Sequence, residues 1–128
     1  MDKIVIAIVK KGKEILMVRR RIKEGDLYWQ FPGGALENNE SEQQAVEREV
    51  FEEANIKCKA IKKLGERLHP TTSKLISYWV CEYVSGEIKV KDSDELDKVE
   101  WMGPNEILNN VTSEIFVPVK EYILNIKE

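Results

Sequence analysis

Cysteine is scarce in this sequence. Cys58 and Cys81 are the only two, and they form no CxxC spacing. A disulfide framework is therefore not expected, and both are expected as small buried hydrophobes. Long apolar runs are missing as well. The longest, Ile4–Val9, falls far short of the ~20 residues a membrane span requires, and it lacks the length and cleavage site of a secretory signal. The expected compartment is the cytoplasm, with no membrane partner. Nor is there an excess of positive charge. Twenty Lys and Arg stand against 23 Asp and Glu, a net charge of −3, and the pI is near 5.4. That balance argues against a sequence-independent nucleic-acid binder, so no nucleic-acid polymer is expected as a partner. Small anionic substrates stay open, because a bound metal can supply positive charge locally. Repeats, low-complexity tracts and linkers are also absent.

What is present suits a single domain over residues 1–128, with 42% hydrophobic and 34% charged residues. Lys3–Lys10 and Glu14–Arg20 read as two strands joined by the turn Lys11-Gly12-Lys13. The segment Arg19–Asp26 is basic and then turn-like. Its arginines, followed by Lys23, could meet phosphates bidentately. Arg19 and Arg21 are the candidates, although composition alone favours a solvated loop. Leu27–Phe31 is a short aromatic strand with Trp29 and Phe31 expected in the core, and Pro32-Gly33-Gly34 must turn the chain.

Ser41 with Gln44 three positions on is a capping-box pattern that starts a helix near Ser41. Val46, Val50, Ala54 and Phe51 are expected to form its apolar stripe, with Glu49, Glu52 and Glu53 on the arc beside it. Asn55 stands where a helix end wants Gly or Asn in the left-handed conformation. Ile56–Leu68 reads as a strand with a break near Gly65, His69–Ser73 as a turn, and Leu75–Val84 as the most strand-like run. Glu87–Val90 is expected as a short return strand, Lys91–Asp97 as an acidic loop and Val99–Met102 as a final strand. Gly103-Pro104-Asn105 opens a helical turn through Leu108, and Asn109–Ser113 is a loop. Pro118 starts a last helix whose Val119, Tyr122, Ile123 and Ile126 share one face. The fold class is therefore α/β (α+β): a mixed sheet with two packed helices.

The chemistry concentrates in Gly34–Ile56, which carries Glu37, Glu40, Glu42, Glu47, Glu49, Glu52 and Glu53. Clustered carboxylates repel unless a cation sits among them, and Mg²⁺ prefers such hard oxygen ligands. The residues alone leave a second reading open and lean towards it: a solvated acidic helix face.

The same stretch resembles the signature of the Nudix (MutT-like) hydrolases. Gly34, Glu40, Arg48-Glu49, Val50, Glu52-Glu53 and Ile56 match that signature at its spacing. The one departure is Asn55, where the family has glycine; a small stability cost is expected. The resemblance extends to the two strands before this stretch, the Trp29–Gly34 run and the closing strand and helix. It implies a three-layer α/β/α sandwich and hydrolysis of a nucleoside diphosphate linked to another moiety, with Mg²⁺ or sometimes Mn²⁺. It implies Glu52 and Glu53 as main metal ligands, with Gly34 among the metal-site residues. Glu49 would be a further ligand or the water-activating base. Arg48 would orient Glu52 or Glu40 by ion pairing, and the backbone at Gly33-Gly34 would approach the phosphates. With the resemblance, the metal reading prevails over the solvated face.

Asp94 and Glu95 are candidates for an extra acid, with a solvated turn an equal alternative. His69 is favoured as a structural turn residue over a phosphate contact. The Trp29–Gly34 run looks most like members acting on nucleoside triphosphates, oxidised ones included. Pro70 hints at members cleaving ADP-ribose. Asn109 and Asn110 precede the last helix, where some members hydrogen-bond a purine. Three functions are weighed: a pyrophosphohydrolase of nucleoside triphosphates or related diphosphates, an ADP-ribose or nucleotide-sugar pyrophosphatase, and a non-catalytic nucleotide-binding module. Either a monomer or a homodimer is compatible.

Overall fold

The computed structural model describes residues 3–22, 27–70 and 72–126. Lys23 and the turn around Gly25-Asp26, and Thr71 of the His69–Ser73 turn, lie outside the described residues. In chain order the elements are β1 (Lys3–Lys11), β2 (Glu14–Arg21), β3 (Leu27–Gln30), β4 (Gly33–Ala35), α1 (Glu42–Ala54), β5 (Lys57–Leu68), β6 (Leu75–Ser85), β7 (Leu96–Met102), α2 (Pro104–Asn110) and α3 (Val117–Leu124). Among the described residues, seven strands join one mixed sheet with the main order β3-β2-β1-β6-β5. β1 and β6 are parallel over eight consecutive pairs, from Lys3↔Leu75 to Lys10↔Glu82. The other pairings are antiparallel.

The sheet forks between β1 and β2. β1 and β2 pair only beside their turn, at Lys10↔Ile15 and Lys11↔Glu14. Beyond that they part. β4 takes the vacated edge of β1 at Ile4, Val5 and Ile6, while β7 runs along β2. The break at Pro32 is thus a crossing: the chain leaves β2 as β3 and re-enters the sheet beside β1 as β4.

Strand alternation separates two cores. Val5, Ala7, Val9, Leu16, Val18 and Cys81 face α1 and its Ala45, Val46, Val50 and Ala54. Ile8, Ile15, Met17, Ile76 and Tyr78 face Ile107 of α2 and Val119 and Ile123 of α3. Helices thus cover both faces, giving the three layers. Burying Val46 and Val50 completely contributes about 2 kcal/mol each. Both cysteines are buried as free thiols.

α1 starts as its sequence requires. The Gln44 amide donates to Ser41 Oγ at 3.1 Å, and the Ser41 amide to Gln44 Oε1 at 2.9 Å. It ends at Asn55, with φ of 65°. Besides the strand β4 where a turn alone was expected, and the start of β7 at Leu96, inside the expected acidic loop Lys91–Asp97, because Leu96 pairs with Arg20 of β2, four details differ from expectation. Phe51 is exposed, because the second buried row of α1 is Ala45, Glu49 and Glu53 rather than the row through Phe51; Lys91 Nζ covers the Phe51 ring at 3.7 Å. Glu87–Val90 is no strand, because its amides turn to the end of α1, Lys89 N donating to Ala54 O at 3.0 Å. α2 runs on through Asn109 and Asn110, where a loop was expected, so three helices among the described residues pack on the sheet where two were expected. At Gly65 the strand continues through a register shift instead of breaking.

The first turn of α1 is tied to three strands by Glu42. This carboxylate pairs with Lys3, lies 3.3 Å from Lys63 Nζ and accepts from Trp79 Nε1 at 2.8 Å. Burial alone would raise its pKa, but Lys3, Trp79, Ser77 and Lys63 outweigh burial and hold it at about 2. A depressed carboxylate stabilises the fold above its unfolded pKa and loses that contribution as pH falls towards its folded one. We expect urea unfolding to show about 2–3 kcal/mol lost between pH 4.5 and 2 on this account. Glu42→Gln removes that part of the acid limb while lowering stability at pH 7.

Candidate active site

The fork between β1 and β2 is where the carboxylates of α1 arrive. Gly33 and Gly34 of β4 run directly over them. The Gly33 amide lies 3.4 Å from Glu53 Oε1. A Cβ added at Gly34 would lie 2.6 Å from the Glu49 carboxyl. Only glycine permits that approach. Glu53 is 4% exposed. Burial pushes its pKa up to about 7 against the opposing pull of Arg20. Burial likewise raises Glu49, with Arg48 opposing. Glu52 points outward and is exposed.

Arg48 is the hub of the outer part. Its guanidinium bonds Glu40 at 2.7 and 3.0 Å, Glu49 at 2.8 Å and the Ala35 carbonyl at 3.0 Å. It lies 3.3 Å from Glu52 and 3.2 Å from Glu37. Glu40 foremost holds the Arg48 guanidinium protonated, and Arg48 in turn lowers the Glu40 pKa. The loop from β4 to α1 is thereby stapled to the acidic edge of the helix.

Of the three arginines of β2, the one facing the site is Arg20. Its Nη2 lies 3.0 Å from Glu53 Oε2 and its Nη1 3.4 Å from Glu95 Oε2. The Gln30 amide, with its oxygen towards the guanidinium, accepts from Arg20 Nε at 2.6 Å. Arg19 and Arg21, the candidates for phosphate contacts, point to the other side of the sheet. Arg19 is held by Asp97 at 2.9 and 2.6 Å and lies over the Trp29 ring; Arg21 is exposed. The signal was available: Leu16 and Val18 share the α1 face, and alternation puts Arg20 there next.

Asn109 and Asn110 also lie elsewhere. Both are exposed at the end of α2, and the Asn110 amide donates to the Glu106 carbonyl of its own helix at 2.7 Å. Asp94 is exposed, whereas Glu95 touches the site through Arg20.

From Gly33, Gly34 and Arg20 a hollow of about 360 Å³ runs past Ile4, Lys74 and His69. It adjoins another of about 160 Å³, with Ile6, Gln30, His69 and Ile76 common to both. The far end is aromatic. Tyr78 and Phe116 stack at 4.8 Å, and Arg67 lies 5.2 Å from the Phe116 ring centre while donating to Tyr78 Oη at 3.1 Å. Ser113 and Glu114 form its rim. His69 lines both hollows, its Nδ1 accepting from the Thr72 amide at 3.3 Å. Arg67, Tyr78 and Phe116 carry no local sequence signal for this role; they meet only through strand pairing and the return of the chain before α3.

Among the described residues, no three Asp, Glu, His or Cys side chains converge as a finished metal cage. Buried Glu53 and half-buried Glu49 under an open backbone still fit a hard cation. Mg²⁺ is commonly held by one or two carboxylates, with waters and substrate phosphates completing its shell.

A family model for the NUDIX domain matches residues 2–122. The chain belongs to the Nudix hydrolase family. Among curated relatives of this Nudix chain, the NAD-capped RNA hydrolase NudC of Actinobacillus succinogenes is 33% identical over 121 residues, covering 91% of this chain and 45% of that protein. The Nudix chain thus spans less than half the length of the curated relatives it matches. The crystal structure of a NUDIX hydrolase from Nitrosomonas europaea superposes with a TM-score of 0.84 at 25% identity, covering 96% of this chain and 70% of that one. The MutT protein from Methanosarcina mazei Go1 gives 0.69 at 25% identity, covering 95% and 89%. The mixed sheet with α1 on one face and α2 and α3 on the other is the Nudix architecture of these neighbours. Among the described residues, no helix is long and apolar enough to cross a membrane.

Proposed function

We propose that this Nudix domain hydrolyses a phosphoanhydride bond in a nucleotide, binding the phosphates at the fork and the base at the aromatic end. The observation that carries this reading is the carboxylate pair of half-buried Glu49 and buried Glu53 beneath the Gly33-Gly34 backbone, which itself lines one end of a hollow that adjoins an aromatic slot. Glu53, Glu49 and the Gly34 backbone would hold a divalent cation, Mg²⁺ or Mn²⁺, with Glu52 at its outer side. Such a cation neutralises phosphate charge and acidifies a bound water.

The residues of the chain do the rest. Arg20 presents a guanidinium between Glu53 and the hollow, suited to bidentate phosphate binding. Arg48 and Glu40 keep the acidic edge in place. Glu49, half-buried and already raised in basicity, is placed to take the proton of an attacking water. At the far end, the Tyr78–Phe116 pair and Arg67 offer flat surfaces to a base. Stacking of this kind is worth about 1–3 kcal/mol per base.

The substrate we favour is a nucleoside triphosphate. Similarity to relatives named as NAD-capped RNA hydrolases supports a second substrate, a dinucleotide pyrophosphate. A nucleotide panel with and without Mg²⁺ or Mn²⁺, with products identified, separates them. Release of pyrophosphate from triphosphates supports the first and paired mononucleotides the second. Phe116→Ala is expected to raise KM by about tenfold at unchanged kcat. Absence of metal-dependent turnover across the panel would leave a binding module as the surviving function.

A further inference from the structure

Asn55 does more than end α1. Glycine would supply the left-handed turn equally well, but it has no side chain. Here the Asn55 amide Nδ2 donates to the Glu87 carbonyl at 3.1 Å. Glu87 belongs to a strap, residues 86–91, that lies across the end of α1. Lys89 N donates to Ala54 O at 3.0 Å and Lys91 N to Glu53 O at 3.2 Å. The approach is as close as backbone allows: a Cβ on Gly86, whose φ is 104°, would lie 2.6 Å from Asn55 O. Tyr83 Oη secures the entrance by donating to Gly86 O at 2.7 Å. Ile88 and Val90 pack on the core beneath.

The strap leads into the turn that carries Glu95. The Arg21 amide donates to Glu95 O at 2.8 Å, and the Glu95 carboxylate reaches Arg20, which reaches Glu53. The stretch from Lys91 to Glu95 therefore returns to Glu53 at both of its ends. Lys91 holds the backbone of Glu53, and Glu95 acts on its carboxylate through Arg20.

The geometry points to Asn55 as a positioning residue. By clamping the strap it sets Glu95 and so the direction of the Arg20–Glu53 pair. This rests on the reading of that pair as the reacting end. It also gives the departure from the family's glycine a purpose.

The test compares Asn55→Gly, which keeps the turn and removes the clamp, with Asn55→Asp, which keeps the shape but sets an acceptor against the Glu87 carbonyl. Amide exchange at Lys89 and Lys91 is expected to quicken by about tenfold or more in both. At saturating substrate kcat falls by roughly tenfold, more for Asp than Gly, with KM within about twofold of wild type. Unchanged exchange overturns the clamp. Faster exchange with unaltered kcat reduces Asn55 to a structural tether and overturns the positioning role. If the wild type hydrolyses nothing in the panel, the hydrolase reading has failed by itself. Exchange of the Arg20 Nε–H, followed by NMR without substrate, then decides: faster in both variants supports the coupling, and no change overturns it.

Discussion

Glu53→Gln is expected to lower metal-dependent turnover by on the order of a thousandfold while leaving the protein folded. Glutamine keeps the size of the side chain and an acceptor for the Gly33 amide. It removes the charge that a cation and Arg20 both need. Stability should move the other way. Glu53 is 4% exposed, and burial raises its pKa to about 7. Keeping an ionised carboxylate there works against folding, a sign typical of groups placed for chemistry. In metal-free buffer at pH 7.5 the variant should therefore melt no lower than wild type, and wild type should gain more from added Mg²⁺ than the variant does. Calorimetry alongside steady-state rates checks both halves. Turnover within tenfold of wild type removes Glu53 from the proposed site.

Gly33→Ala is expected to do the reverse and damage the fold. Its Cβ would lie 2.3 Å from the Val5 carbonyl oxygen and 3.0 Å from Ile6 Cα. Both are backbone atoms in the paired part of β1, so neither can yield by rotating a side chain. Overpacking of this kind costs about 3 kcal/mol, which in a chain of this size lowers Tm by about 10 °C. Gly34→Ala is a useful contrast. There the obstacle is the carboxyl end of Glu49, so the fold should suffer less than the site. A melting temperature for Gly33→Ala within about 2 °C of wild type would show that β4 does not press on β1 as described.

Local chemistry made much of this protein legible in its sequence. Ser41 with Gln44 marks a helix start through a reciprocal pair of hydrogen bonds, and Asn55 marks its end through the left-handed turn. Both signals lie within a few residues. The stripe Val46, Val50 and Ala54 follows from the helical period, yet that period did not decide between Phe51 and Glu53. The helix buries the row of Ala45, Glu49 and Glu53, because the sheet beneath opens at its fork and admits the carboxylates. A fork is a property of four strands together, and no window of sequence contains it. The choice among Arg19, Arg20 and Arg21 turns on strand parity, which Leu16 and Val18 carry. The aromatic slot was the least accessible. Arg67, Tyr78 and Phe116 come from β5, β6 and the segment before α3, and their meeting depends on pairings that composition does not record.

The eight parallel pairs between β1 and β6 also govern how the chain can assemble. Their partners lie about 70 residues apart, among the costliest contacts to close in a search that starts from local ones. The hairpin of β1 with β2 offers just two register pairs near its turn, a poor nucleus. The centre of the sheet is therefore expected to close late, and until β6 arrives the edge of Ile4–Val9 that it covers is open to mispairing with other chains. Lys3, Lys10 and Lys11 flank that run. Positive charges at the borders of a strand-forming segment discourage such encounters, so these lysines guard the nascent chain during the interval before its centre can close.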